Sequence, residues 1–229
     1  MRTLIITGAS GGLGRTVTRH FLDRQWRVAV IVSQPESLDA LGPHPNLHGY
    51  VADLTQEEQT AAVIRTIIDE QGPVDGALLL AGGFAMGSLS ETGLEGIQKM
   101  LAINFHTAYT VVRPLFAHMK EQGRGRIVLT GARPAIQPAA AHKMLAYSLS
   151  KSLLFRLAEC LNEEARGSDV VTTVLVPSTI DTPANREAMP DADPADWVSP
   201  GEIAAVLDFL LSDAATPLRE PVMKVYKNS

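Results

Sequence analysis

Short runs of apolar residues alternate along this chain with longer segments in which apolar residues recur at helical spacing. The short runs are rich in Val, Ile and Leu on both faces, which is typical of strands that helices cover from two sides. The predicted strands are Thr3–Thr7, Val28–Val32, Leu47–Val51, Gly76–Leu80, Arg126–Thr130, Val170–Val176 and Val222–Tyr226. The predicted helices lie near residues 13–24, 56–71, 94–121, 145–166 and 200–212. This alternation predicts an α/β fold: a doubly wound, mainly seven-stranded parallel sheet with helices on both faces and right-handed crossovers.

The length and composition favour one domain. A chain of 229 residues that is 45% hydrophobic can bury a complete core. We find no internal repeat and no linker, so we expect a single domain over residues 1–229. One segment departs from the alternation: residues 177–199 carry four prolines and several acidic residues after a predicted strand. A loop of this length in a compact domain is usually a lid or a binding element, and disorder is the alternative.

Charge and residue spacing argue against several classes of partner. The net charge is −5 and no block of Lys or Arg appears, which disfavours nucleic acid and anionic membranes. No apolar run reaches the ~18 residues of a membrane span, and no signal peptide precedes the first strand, so we expect a cytoplasmic protein. The histidines do not cluster with Cys or carboxylates at metal-ligand spacing, so we expect no metal. The single cysteine, Cys160, falls in a helical stretch and is interpreted as a small buried apolar residue.

A glycine-rich turn follows the first strand, in the stretch Thr7-Gly8-Ala9-Ser10-Gly11-Gly12-Leu13-Gly14. Gly8 allows a sharp turn, Gly12 allows the backbone to approach a diphosphate, and Gly14 allows the next helix to pack closely on the sheet. The helix N-terminus then offers free N–H groups and a partial positive charge to phosphates. In this βαβ position the turn predicts a Rossmann-type dinucleotide site.

The spacing Thr-Gly-x-x-x-Gly-x-Gly resembles the cofactor fingerprint of the short-chain dehydrogenase/reductase family, and further family motifs follow in order along the chain. The resemblance implies an NAD(P)-dependent oxidoreductase in which Asp53 holds the adenine ring. Ala81-Gly82-Gly83 stands where the family has Asn-Asn-Ala-Gly, with Leu79 and Leu80 replacing the asparagines. The cofactor contacts that the resemblance implies are Gly8, Ser10, Gly12, Leu13, Gly14, Ser33, Asp53, Leu54, Ala81, Gly82, Gly83, Tyr147, Lys151, Pro177 and Thr182.

The stretch Tyr147-Ser148-Leu149-Ser150-Lys151 places a phenol and an ammonium four residues apart, on one face of a helix. A nearby ammonium favours the phenolate, so we expect Lys151 to lower the Tyr147 pKa from near 10 towards the working range. Tyr147 is the predicted proton donor. Lys151 would also bind the nicotinamide ribose in this family. Asn104 falls on a buried helical stripe, where the family uses an asparagine to hold a water of the proton relay; a purely structural amide is the alternative.

The family's usual serine at the end of the fifth strand is missing. Ala132 occupies its place if the following loop is two residues longer, and Thr130 is a possible substitute. A carbonyl reductase without this hydroxyl would lose part of its oxyanion stabilisation. The stretches 81–85, 130–133 and 175–197 resemble the dihydropteridine reductase branch, which lacks the serine and reduces a quinonoid pterin-like ring. The predicted substrate contacts are Ala132, Asn185, Arg186 and Trp197, whose indole would stack on a flat ring.

Three further expectations concern function. The second strand ends in Val32-Ser33 with no acid to repel a 2′-phosphate, so we expect NADP(H) or NAD(H) with a slight preference for NADP(H). The alternatives to a pterin reductase are a carbonyl or 3-oxoacyl reductase of the same family and, more remotely, a non-catalytic dinucleotide-binding sensor. Apolar residues at several angles on the long helices, including Phe116, Leu153 and Leu157, indicate a homodimer or homotetramer.

Overall fold

The computed structural model of the chain describes residues 1–219 and 221–227. In this part, seven strands form one sheet in the order β3-β2-β1-β4-β5-β6-β7, and all neighbouring strands run parallel. The strands are β1 Thr3–Thr7, β2 Arg27–Val32, β3 Leu47–Val51, β4 Gly76–Leu79, β5 Arg124–Thr130, β6 Asp169–Pro177 and β7 Val222–Val225. The predicted doubly wound sheet is confirmed.

The eight α-helices of the described residues cover both faces of the sheet. They are α1 Gly12–Asp23, α2 Glu57–Gln71, α3 Leu94–Leu101, α4 Thr107–Gln122, α5 Pro138–Ala141, α6 Leu145–Glu164, α7 Pro183–Ala188 and α8 Pro200–Leu211. Helices α1 and α8 pack on one face through residues such as Phe21 and Leu207. Helices α2, α4 and α6 pack on the other through Ile64, Leu115 and Leu154. The inner strands alternate between the two cores, and this burial explains the mainly apolar sequences of β1, β2 and β4.

The order of the strands creates the place for a ligand. β1 lies between β2 and β4, so the crossovers on its two sides lead in opposite directions. Thr7 pairs with Ile31 of β2 and with Leu79 of β4, which aligns the carboxyl ends of the three strands. In open α/β sheets the crevice at such a reversal is where ligands bind.

The structure refines two predicted elements. The helix expected near residues 94–121 is divided, because a π-helical turn at Ala102–His106 separates α3 from α4. Such a turn widens the helix locally and is frequent at functional sites. The segment 177–199 is not an irregular loop throughout, because it contains α7 and a 3₁₀ turn at Pro194–Asp196.

Two burial predictions are wrong. Cys160 is exposed, because it lies on the outer face of α6 instead of its core face. Phe116 is only 6% exposed and belongs to the core beneath α4, so it offers no surface to a partner chain. No helix in residues 1–219 and 221–227 has the length and apolar character needed to cross a membrane. Within the same residues, no three His, Cys, Asp or Glu side chains come together as a metal site.

Candidate active site

The turn between β1 and α1 requires glycine at two positions. Gly8 adopts φ +68°, and a Cβ there would lie 2.7 Å from the Ala81 backbone nitrogen. A Cβ on Gly14 would lie 2.1 Å from the Gly8 carbonyl oxygen. The turn is therefore locked between the start of α1 and the end of β4, and it brings Ala81 to the crevice.

The N-terminus of α1 is open to a phosphate. Gly11 caps the helix without a side-chain hydrogen bond, and no acidic residue stands in the first turn. Its leading N–H groups and the positive end of its dipole therefore face the crevice unneutralised, which fits a diphosphate. A Cβ on Gly12 would lie 3.0 Å from Thr182 Cγ2, so the segment after β6 reaches this phosphate end. The predicted cofactor residues Gly12 and Thr182 are thus adjacent.

Two polar residues mark the end of the crevice near β2 and β3. Ser33 is exposed directly after β2, whereas Val32 is buried in the strand. Asp53 is exposed and accepts hydrogen bonds from the Thr55 backbone N–H at 2.9 Å and the Thr55 hydroxyl at 2.7 Å. These bonds lower the pKa of Asp53 below its usual value, so the carboxylate is ionised and able to accept from an adenine amino group.

The predicted proton donor and its lysine lie on one face of α6. Lys151 is only 4% exposed, and its Nζ donates to the Thr130 carbonyl oxygen at 2.8 Å. Burial lowers the pKa of Lys151 to about 8. Burial raises the pKa of Tyr147 to about 12, so the expected lowering by Lys151 is wrong for this arrangement. The physical reason is that burial desolvates both groups and disfavours the charged form of each.

Asn104 lies in the π-helical turn and is 1% exposed. Its Oδ1 accepts from the Gly83 N–H at 3.0 Å, while its Nδ2 donates to the Gly83 carbonyl at 3.1 Å and to Ser150 Oγ at 3.0 Å. A Cβ on Gly82 would lie 2.7 Å from Asn104 Oδ1 and 3.1 Å from Lys151 Nζ. The Asn104 amide therefore holds the Ala81-Gly82-Gly83 segment beside Lys151. Its oxygen and nitrogen are hydrogen-bonded to Gly83 and Ser150.

Neither Ala132 nor Thr130 supplies a hydroxyl in place of the missing serine. Ala132 is 4% exposed and begins a 3₁₀ turn at Arg133–Ala135. Thr130 follows Val128 by two residues on β5, and Val128 faces the α1–α8 core. Strand alternation places the Thr130 side chain on that same face, away from α6 and Tyr147. Its hydroxyl is buried, with no hydrogen-bond partner in the described structure.

The three predicted substrate residues in the segment 177–199 are engaged within the protein. Asn185 Nδ2 donates to the Ile180 carbonyl at 2.8 Å. Arg186 forms a two-pronged ion pair with Asp181, at 2.6 and 2.8 Å. Trp197 is 5% exposed, so it anchors the segment instead of presenting a free ring, which corrects the predicted stacking role.

Phe84 is a residue of this site that the sequence reasoning did not single out. Its ring meets the Tyr147 ring edge to face, with 5.0 Å between the centroids and 73° between the planes. Even so, Phe84 remains 59% exposed. A large aromatic residue directly after two glycines in a loop was the available signal, because exposed aromatics in such loops often contact ligands.

The sequence of this chain is similar to those of known oxidoreductases. The family model of the short chain dehydrogenases matches residues 2–193, so the chain belongs to that family, whose members are NAD(P)-dependent oxidoreductases. The dihydropteridine reductase of Dictyostelium discoideum is 30% identical over 210 residues, which span 90% of this chain and 86% of that protein. The acetoacetyl-CoA reductase of Acinetobacter sp. (strain RA3849) is 26% identical over 227 residues, spanning 93% and 91%.

Solved structures share the fold. A short-chain oxidoreductase from Burkholderia thailandensis superposes with a TM-score of 0.85 at 30% identity, covering 98% of this chain and 90% of that one. ElxO with NADP bound gives a TM-score of 0.90 at 20% identity, covering 98% and 96%. The NAD⁺-bound xylitol dehydrogenase gives 0.88 at 20% identity, covering 99% and 98%.

Proposed function

We propose that this protein is an NAD(P)H-dependent reductase of the dihydropteridine reductase type that reduces a quinonoid dihydropterin or a similar flat, electron-poor ring. The observation that carries the proposal is the combination at the site: Tyr147 and Lys151 lie on one face of α6, and Phe84 lies exposed against Tyr147. Ala132 stands where the family resemblance places the serine. The likeness to a dihydropteridine reductase over most of both chains supports it.

The protein's part of the reaction is to hold the reactants and to supply one proton. The bound cofactor supplies the hydride. With a pKa raised to about 12, Tyr147 is fully protonated at neutral pH and can donate its phenolic proton to a ring nitrogen as negative charge develops there. Lys151 stands on the same helix face to favour the phenolate that remains, and we assign it the nicotinamide ribose as well. Asn104 holds the segment beside Lys151 in place.

The absence of the serine fits a conjugated substrate better than a ketone. A ketone develops an alkoxide in the transition state, and a donor to that oxygen is typically worth about 10²–10³ in kcat. A quinonoid ring spreads the incoming charge over several atoms, so it depends less on one hydroxyl. The exposed face of Phe84 gives such a ring a stacking surface next to the proton donor.

The test is steady-state kinetics of the purified protein with quinonoid dihydropterin and a panel of small ketones and 3-oxoacyl thioesters. We expect kcat/KM for the pterin to exceed that for every ketone. Ala132→Ser should raise ketone reduction selectively, because it restores a hydroxyl at the family position, while Ala135→Ser in the same turn should not. Faster turnover of a thioester or ketone by the wild type would refute the pterin assignment.

A carbonyl or 3-oxoacyl reductase remains the second candidate. The likeness to an acetoacetyl-CoA reductase over most of both chains is the specific observation in its favour. That enzyme class needs an oxyanion donor, and in this chain the donor would have to be a bound water, given where the Thr130 side chain lies. The kinetic panel separates the two candidates directly.

We propose that NADPH is accepted at least as well as NADH. Ser33 directly follows β2 and carries no carboxylate. Arg15 and Arg19 are exposed on α1 with no ion-pair partner among the described residues. Ser33→Asp should shift the ratio of dissociation constants towards NADH by repelling the 2′-phosphate. Ser33 is the position to change, because an acid at the buried Val32 would also destabilise the fold. Strong NADH selectivity of the wild type in binding titrations would contradict the proposal.

We also propose that the working form is a homodimer, with a tetramer as the next possibility, and that it acts on its small-molecule substrate in the cytoplasm. Leu149 and Leu153 lie exposed on α6, and Tyr109 on α4 stacks on Phe105 while remaining 42% exposed. These exposed apolar residues lie on two long helices, and exposed apolar side chains of this kind support an interface between chains.

A further inference from the structure

Ser150 is a completely buried hydroxyl between the two proposed catalytic residues of α6, and the reaction described above does not use it. It is 0% exposed. Its Oγ donates to the Tyr147 carbonyl oxygen at 2.8 Å and receives the Asn104 Nδ2 donor at 3.0 Å. A hydroxyl has a single proton, and a carbonyl oxygen can only accept. The proton of Ser150 is therefore committed to Tyr147, and towards Asn104 the hydroxyl can only accept.

This commitment agrees with the orientation that Gly83 imposes on the Asn104 amide. With Nδ2 facing Ser150, Nδ2 also meets the Gly83 carbonyl at 3.1 Å and Oδ1 meets the Gly83 N–H at 3.0 Å. The flipped amide would set two donors against each other at the Gly83 nitrogen and two acceptors against each other at its carbonyl. Because Asn104 is 1% exposed, water cannot compensate for such mismatches.

The oriented amide fixes the segment that borders the active site. Gly83 is followed by Phe84, whose ring packs on Tyr147 at 5.0 Å between centroids. Gly82 lies so close to Lys151 that a Cβ would be 3.1 Å from Nζ. One chain of hydrogen bonds thus runs from the helix that carries Tyr147, through Ser150 and Asn104, to the loop that covers Tyr147.

We propose that Ser150 is a positioning residue: by accepting from Asn104 it fixes the amide that holds the Gly82–Phe84 loop in register with Tyr147 and Lys151. The inference rests on the proposed role of Tyr147, but not on the identity of the substrate. Without the acceptor, the Asn104 amide keeps its two hydrogen bonds to Gly83 but loses its bond to α6, and the loop loosens over Tyr147 while α6 stays intact.

The chain contains a matched control in Ser152. Its Oγ donates to the Leu149 carbonyl at 2.8 Å, which is the same local bond that Ser150 makes, but Ser152 is only half-buried and receives no amide. Ser150→Ala should lower kcat/KM roughly tenfold for whichever substrate the wild type turns over, since losing a buried partner costs about a factor of ten. Ser152→Ala should match the wild type. The dissociation constant of NADPH should change less than about twofold in both variants.

Two readouts that need no substrate separate this inference from the proposed function. In Ser150→Ala, amide exchange at Gly83 and Phe84 should accelerate at least about tenfold. The pKa of the Tyr147 phenol, followed by phenolate absorbance with Tyr147→Phe as the blank, should fall from about 12 towards 10 as water reaches it. Ser150→Cys keeps the volume with a poor acceptor and should behave like Ser150→Ala, which covers the case that the alanine variant folds badly.

A double-mutant cycle closes the test. In the Asn104→Ala variant, a further Ser150→Ala change should have no effect on amide exchange at Gly83 and Phe84, because the amide that Ser150 binds is gone. Equal loop exchange and an equal Tyr147 titration in Ser150→Ala, Ser152→Ala and wild type would overturn the proposal, as would fully additive effects in the cycle.

Discussion

At the scale of single residues, Lys151 shows how the site opposes the stability of the fold. Burial lowers its pKa from 10.5 to about 8, so the folded chain binds this proton less tightly than the unfolded chain does. Below about pH 8 the weaker proton binding in the folded chain lowers the free energy of unfolding. This loss of stability shrinks as the pH rises from 8 to 10.5, where the unfolded lysine also becomes neutral. A buried cation held by one carbonyl is retained for its chemistry, at a cost in stability.

Replacing Lys151 by the apolar methionine should therefore stabilise the protein while abolishing its activity. We expect Lys151→Met to raise the free energy of unfolding by roughly 1–3 kcal/mol at neutral pH. The gain should shrink as the pH is raised towards 10.5. Denaturant titrations across this range check it, with the exposed Lys99→Met as a control that should show no pH-dependent gain. Equal stability of Lys151→Met and wild type at every pH would show that the lysine is not held at a cost.

At the scale of secondary-structure elements, the segment 177–199 is a small folded unit rather than spare chain. Thr182 caps α7 by accepting from the Asn185 N–H, the Asp181–Arg186 pair closes the turn, and Trp197 fastens the far end. The segment leaves β6 at the carboxyl edge of the sheet, where Thr182 already reaches Gly12. We propose that it covers both the phosphates and a substrate.

If this segment is a lid, ligands should order it. We expect amide exchange across residues 184–197 to slow by at least about threefold when NADPH and a pterin analogue are both bound, and less with NADPH alone, because lid closure sequesters backbone from water. Helix α2 lies apart from the segment and provides an internal reference. An unchanged exchange pattern in a protein that turns over the pterin would place substrate recognition elsewhere.

The elements also show where reasoning from sequence succeeds. The alternation of short apolar runs with helical segments predicted all seven strands. Burial on both faces of a parallel sheet favours such apolar runs. The π-helical turn at Ala102–His106 was missed because it depends on the contacts of Asn104 with Gly83 and Ser150, which are distant in sequence. The burial of Trp197 and the raised pKa of Tyr147 are likewise consequences of tertiary packing, and no local pattern reports them.

At the scale of the whole molecule, the exposed apolar surface on α4 and α6 predicts self-association. Leu153 on α6 is 40% exposed, whereas Phe116 is buried and cannot contribute. We expect sedimentation at micromolar concentration to give the mass of two chains or of four. Leu153→Asp should shift the mass towards one chain, because a carboxylate in an apolar interface is desolvated without a partner. Leu94→Asp, at a position 72% exposed on α3, should leave the mass unchanged. A wild-type mass of one chain would refute the prediction.

The central claim is that this chain is a dinucleotide-dependent reductase whose proton comes from Tyr147. Tyr147→Phe tests it most directly, because the change removes the phenolic proton and little of the binding surface. We predict that single-turnover reduction of quinonoid dihydropterin by NADPH falls by about 10²–10⁴-fold while the dissociation constant of NADPH stays within about twofold of wild type. A variant that binds NADPH normally and keeps more than about a tenth of the wild-type rate would contradict the account, because general acid catalysis by Tyr147 would then contribute almost nothing.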